Sequence, residues 1–338
     1  MSGWRGAISA AAASLRLAIL AVGLLGAAAP ASAQGDGFPN RPIKLITLTT
    51  PGGSLDTVAR IIARYLPDHI GGPQVVVENR VGAGGNIGAD AVAKSPPDGY
   101  TIGMVTISTH GINPTLYGAK MPFDAVKDFA PIAPAVANNN IIAVHPSVPA
   151  ANIPEFVAYL RANPDKVLFG SAGTGTSQHL AGELFKVMTG TQMTHVPYKG
   201  AAQALPDLLT GVIQVMITSA LETGEHIKRG ALRGIAVTGK TRSANFPEIL
   251  PVAEQGYPDF DVVTWFGVVA PAETPPAIVE RYNTAIRAIL STPEVKDRLA
   301  AVGFDTITDK SPRQFADFIK AEIAKWAPIV RASGAKIE

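Results

Sequence analysis

Cysteine is missing from all 338 residues. Disulfides, zinc–thiolate sites and a lipid anchored through a cysteine are therefore excluded. Histidine is sparse. The six, at 69, 110, 145, 179, 195 and 226, show no close metal-ligand spacing, so neither a metal nor a cofactor is expected. No arginine pair stands near the start, which removes a twin-arginine export signal. Net charge is nearly absent. The formal value is +2, and the first 33 residues hold two of the 29 basic groups, Arg5 and Arg16, and no acidic one. The rest is neutral, 27 basic against 27 acidic residues. A neutral chain argues against nucleic acid or an anionic membrane as partner. Attraction for an anion must then be local.

The longest apolar run, "LAILAVGLLGAAA" at 17–29, is too short for a span of ~20 residues. It follows a positive start and ends in small residues, "ASA" at 31–33. This is the pattern of a cleaved secretory signal peptide, expected over 1–33, so the chain is expected to be exported. What remains is long enough for two domains of roughly 100–200 residues each.

Strand and helix patterns then alternate nearly throughout, which predicts an α/β fold with mostly parallel sheets. Strands are expected at 43–48, 74–79, 100–107, 166–172, 194–199, 212–219 and 232–238. Helices are expected at 55–66, 86–95, 109–117, 152–163, 177–190, 201–211 and 221–229, with three more at 275–290, 293–301 and 312–332. No internal repeat or low-complexity linker is present.

Two strand-to-helix entries are alike: "TTPGGSLD" at 49–56 and "GSAGTGTSQH" at 170–179. Each places glycines and hydroxyls where a strand ends and a helix begins. Free N–H groups of a first helical turn and the helix dipole favour an anion there. In open α/β sheets, ligands sit outside the carboxyl ends of the strands. Two such loops facing one another suit a small carboxylate. No arginine lies in either loop, so the expected binding relies on neutral donors.

Three other motifs fail on context. "GIAVTGKT" (234–241) matches a phosphate-loop pattern, but its inner residues read as strand and no helix follows Thr241. "GAGGNIG" (82–88) lacks the dinucleotide spacing, since Ile87 stands where the third glycine belongs; it reads as a tight turn. "GTSQH" (175–179) has His179 where a nucleophile elbow needs glycine. Ser177 and His179, two apart on a helix start, do not face one another. A Ser/His hydrolase remains the rival reading, and a ligand-sensing interaction protein is a third. Asp56, in a first helical turn, reads as stabilising that start. His110 and His179 follow strand ends, so they are pocket-wall candidates as well as packing or capping ones. Trp265 reads equally as core and as pocket wall.

Six segments together resemble the Bug family, the periplasmic solute-binding proteins of tripartite tricarboxylate transporters. They are "PGGSLDTVAR", "VVVENRVGAGGNIGADAVAKSPPDGYT", "THGINPTLY", "SAGTGTSQHLAGELF", "HVPYKGAAQALPDLLTG" and "LRGIAVT". The resemblance implies a type II periplasmic-binding-protein fold, two α/β domains with two crossovers and an interdomain cleft. The domains would be 34–140 plus 255–338, and 141–254. It implies a small carboxylate or dicarboxylate cargo that is delivered to membrane permease subunits, and the chain is accordingly expected to be a monomeric receptor without catalysis. The family's first ligand loop falls on Pro51, Gly52, Gly53 and Ser54, with Asp56 keeping its place. The second falls on Ser171, Gly173, Thr174, Gly175, Thr176 and Ser177, followed by His179. The "TH…NP" stretch falls on Thr109, His110, Asn113 and Pro114. Hydroxyls of Thr50, Ser108, Thr109 and Thr218 would complete the shell. The chain departs from the family pattern at Thr47, Thr49 and Thr50 around Leu48, at Leu55, and in "MITSALE" (216–222), where an aspartate is common.

Overall fold

The computed structural model describes residues 37–337, and the signal peptide expected over 1–33 lies outside them. From Pro39 onward the described chain packs as one compact unit. It opens with β1 (Ile43–Thr47), α1 (Ser54–Ile70), β2 (Val75–Asn79), α2 (Asn86–Ala93) and β3 (Thr101–Thr106). A turn of π-helix, Ser108–Ile112, leads into α3 (Asn113–Tyr117), and then comes the long β4 (Phe129–Asn139). The second run is β5 (Ile141–Val144), α4 (Ile153–Ala162), β6 (Leu168–Ser171), α5 (Ser177–Thr189) and β7 (Thr194–Pro197). It continues through α6 (Ala201–Leu209), β8 (Val215–Thr218), α7 (Ala220–Lys228) and β9 (Arg233–Val237). The chain ends with β10 (Val263–Pro271), α8 (Pro276–Ser291), α9 (Pro293–Ala301), β11 (Asp305–Thr306) and α10 (Pro312–Ser333).

Local chemistry sets these boundaries. Asn152 and Thr176 accept N–H groups of the first turns of α4 and α5. Ser311 and Gln314 form a reciprocal capping box on α10. Gly71 closes α1 with a left-handed backbone, φ 58°.

The strands make two sheets. One has the order β11-β4-β10-β3-β1-β2, the other β7-β6-β8-β5-β9. The chain passes from the first to the second between Asn139 and Ile141, and returns between Val237 and Val263. Each sheet with its helices forms an α/β lobe. The expectation of mostly parallel sheets is corrected here. β1 runs parallel to β2 and β3, and β6 to β7 and β8, but the pairings made by β4, β5, β10 and β11 are antiparallel.

β4 and β5 carried no strand signal because of Pro131, Pro134 and the Asn138–Asn140 run. The β4–β10 ladder accommodates the prolines by shifting register beside each, at Phe266/Gly267 and at Val268/Val269. On its other side β4 meets only two residues of β11, so the proline-bearing half interrupts no second ladder.

α10 packs on β4 of the first sheet and on α5 of the second lobe. Trp265 belongs to this core. It is buried, stands edge-on to Phe315 and Phe318, and donates its indole N–H to Glu322 Oε2 at 2.8 Å. Successive side chains of a strand point to opposite faces. Thr264 and Phe266 accordingly turn the other way, toward the cavity between the lobes. Glu322→Ala leaves a buried indole N–H without its acceptor. A loss of about 1–3 kcal/mol is expected, read from the urea midpoint.

Candidate functional site

A cavity of about 430 Å³ lies between the lobes. The loop from β1 to α1 reaches it through Thr49, Gly53, Ser54 and Leu55, and the loop from β6 to α5 through Gly173, Thr174, Thr176 and Ser177. The two sequence-predicted turns therefore face a common space. Ser108, at the end of β3, also lines it.

Both helix starts are tied across the cleft. Ser54 N–H donates to Glu222 Oε1 at 3.3 Å, and Ser54 Oγ donates to the same oxygen at 2.5 Å. Ser54 Oγ also meets Ser219 Oγ at 2.8 Å. Ser177 N–H, at the head of α5, donates to Ser108 Oγ at 3.0 Å. Ser177 Oγ accepts from Thr264 Oγ1 at 3.2 Å, and Thr264 Oγ1 accepts from Asn140 Nδ2 at 3.1 Å.

These bonds correct one expectation. The first-turn N–H groups are not uncommitted. Gly52 N–H donates to Asp56 Oδ2 at 2.9 Å, and Gly53 N–H to the Thr50 carbonyl at 3.3 Å. In the second loop, Gly173 N–H goes to Ser171 Oγ, Gly175 N–H to His179 Nδ1, and Thr176 N–H to the Gly173 carbonyl. The long-range acceptors Glu222 and Ser108 are invisible to a reading of each loop by itself.

Other predicted residues stand behind the wall. Asp56 is buried and bonds Arg60, Gly52 N–H and Asn79. Burial raises its pKa, but the bonds from Arg60, Gly52 and Asn79 outweigh that and hold it below the usual value. It fixes the first loop from below. Thr218 accepts from Gln178 Nε2 at 3.0 Å and donates to Glu222 Oε2 at 3.3 Å, so it positions two residues that do line the cavity. Thr109 bonds within its own turn, to Thr106. Thr50 packs beneath Gly200, where an added Cβ would meet its Oγ1 at 2.5 Å. Pro51 and Gly52 are exposed, outside the cavity wall. Asn113 holds Asn86 Oδ1 at 2.9 Å and supports the glycine turn beside it.

The two histidines proposed for the pocket wall, His110 and His179, belong to the core. His110 is fully buried between Phe123 and Phe129, and burial lowers its pKa to about 3. His179 stacks on His195 at 4.0 Å beneath the second loop, and His195 Nε2 lies 2.6 Å from Ser171 Oγ. Burial and then the Lys186 charge lower His179 to about 4. Burial, then His179 and Lys186, lower His195 to about 3. Ser171 is fully buried, so this Ser–His contact is shut off from the cavity. His179 Nδ1 accepts from Gly175 N–H, and Ser177 Oγ is engaged by Thr264.

Several wall residues were missed from the sequence. The turn Gly82–Gly85, read as tight on account of positive φ, does have that backbone, with φ 62° at Gly84 and 96° at Gly85. Its further role is close approach. A Cβ on Gly84 would lie 2.7 Å from the Thr174 carbonyl of the other lobe. Asn138 comes from the unrecognised strand β4 and Asn140 from the crossing after it, and Gln178, Ser219 and Glu222 from helix starts. Lys199 also lines the wall, which corrects the expectation of purely neutral donors. Among the described residues its ammonium and the hydroxyls of Thr49, Tyr117 and Thr174 have no protein partner, so they are free to meet a ligand.

A sequence model described as "Tripartite tricarboxylate transporter family receptor" matches residues 58–335. The chain belongs to this family. It is 38% identical to Protein BugT of Bordetella pertussis, over 93% of this chain and 95% of that one. Its fold resembles that of R. palustris Rpa4515 with adipate, at a TM-score of 0.84 and 34% identity, covering 89% of this chain and all of the other. MatC from Rhodopseudomonas palustris with bound malate superposes at 0.82 with 28% identity, covering 87% and 100%. The type II binding-protein architecture, two α/β domains around a cleft, is thus shared with receptors.

Two outcomes follow from this geometry. A side chain on Gly84 pushes the Thr174 backbone away and adds left-handed strain of about 1–2 kcal/mol. Gly84→Ala should therefore lower ligand affinity at least tenfold by calorimetry, with a modest fall in Tm. The imidazoles of buried His110 and His179 and of half-buried His195 are neutral when folded, with pKa values below the ordinary 6.5. The unfolded chain takes up protons first as pH falls, so stability present above about pH 6.5 declines toward pH 4 and 3. Urea midpoints at pH 7.5 and 5 should show that decline, and His195→Asn should lessen it.

Proposed function

We propose that the chain is an exported receptor that binds a small organic carboxylate between its lobes and delivers it to the membrane permease subunits of a tripartite tricarboxylate transporter. The observation that carries this is the single cavity bounded by the helix starts at Ser54 and Ser177, in a family whose members have been solved with adipate and malate. On this reading the ligand carboxylate meets Thr174, the free Thr49 hydroxyl and the Lys199 ammonium. Tyr117 serves as a neutral donor, since burial raises its pKa. The lobes are 34–140 with 255–338, and 141–254, moving about the two crossings. The protein works in the periplasm as a monomer. Among the described residues no helix is long and apolar enough to cross a membrane.

The receptor has no chemistry of its own on this reading. Ser177 and His179 spend their polar atoms on Thr264, Ser108 and Gly175. A thermal-shift screen over small organic acids tests the whole proposal. At a ligand concentration 100 times Kd the native state gains about 2.7 kcal/mol, which is several degrees in Tm. Silence across the screen, or ester turnover that Ser177→Ala abolishes, overturns it.

A further inference from the structure

Glu222 stands out among the cavity residues. It is a carboxylate on the wall of a site proposed to bind carboxylates. Its residue is 9% exposed, and all four acceptor positions are filled. Oε1 accepts from Ser54 N–H and Ser54 Oγ; Oε2 accepts from Ser219 Oγ and Thr218 Oγ1. The spacing Ser219-x-x-Glu222 is that of a capping box, in which the acid turns back to its own helix start. Ser219 here makes no such cap. Its hydroxyl donates to the acid, and the acid faces α1 of the opposite lobe. The place at the α1 N-terminus that favours a negative charge is therefore already held by the protein's own carboxylate.

Charge decides what fits beside it. Among the cavity-lining residues, Glu222 and Lys199 are the formally charged ones. One ligand carboxylate finds the unpaired Lys199 ammonium. A second finds no cation, and near α1 it meets Glu222. Bringing it there strips Ser54 from Glu222 and sets two carboxylates side by side, away from water and with no second cation between them, where they repel.

Resting on the carboxylate-receptor reading, we propose that Glu222 is a specificity-determining residue: it makes this cavity select compounds with a single carboxylate, whose other end is neutral or carries an amine, over compounds with a carboxylate at both ends. An amine gains most, because its positive charge lies next to a fixed, desolvated anion.

Three probes of equal chain length test this by isothermal titration calorimetry at pH 7.5: hexanoate, 6-aminohexanoate and adipate. The wild-type chain should bind adipate at least tenfold more weakly than 6-aminohexanoate, with hexanoate between them. Glu222→Gln keeps the shape and removes the charge, and should close the gap between adipate and 6-aminohexanoate at least tenfold. The wild-type order stands as a test even if that variant folds poorly. Adipate binding as tightly as 6-aminohexanoate, or a ratio unmoved by Glu222→Gln, overturns the role of Glu222 and leaves the carboxylate receptor intact. No binding by any of the three at millimolar concentration, together with a silent acid screen, overturns both.

Discussion

Two backbone N–H groups, those of Ser54 and Ser177, head the long helices that flank the cavity, and each finds its acceptor on the opposite lobe. A helix start leaves such donors without intrahelical partners, and a buried donor left unpaired costs about 1–3 kcal/mol. In this structure Glu222 and Ser108 meet that need. The apposition of the lobes is thus an exchange of oxygen atoms across the cleft. Much else is arranged around it. Asp56 and Asn79 hold the first loop in place, Thr218 steadies Glu222, and the stacked His179 and His195 underlie the second loop.

Steric fit works alongside these bonds. Gly84, Gly175 and Gly200 each put bare backbone against the other lobe, and a Cβ at any of them would fall within 2.7 Å of Thr174, Asn113 or Thr50. Cross-cleft polar contacts need short distances, and short distances need these three positions to lack side chains.

Most of the fold was legible in the chain. Apolar periodicity marked nearly every helix, and the alternation of strand and helix marked the lobes. β4 and β5 escaped because proline and asparagine normally break strands, and only the paired bulges opposite β10 show how these prolines are tolerated. The site was legible in its loops but not in its wiring. Glycine- and hydroxyl-rich turns announce helix starts, and Gly53, Ser54, Gly173, Thr174, Thr176 and Ser177 do line one cavity. Which atom satisfies which N–H depends on partners up to 168 residues away, and no local pattern encodes that. Asp56, His110 and His179 illustrate the converse, since polar residues next to a loop serve as its foundation rather than its surface.

The passage between the sheets has a consequence of its own. Asn140 alone separates β4 from β5, and its N–H donates to the Thr238 hydroxyl on the returning segment, so the two connections are stitched together. Asn138, Asn140 and Thr264 line the cavity as well. A molecule held there touches a crossing and both helix starts at once. On the proposed reading, in which the lobes move about these crossings, occupancy is felt at the pivot directly, without having to be relayed from the rim.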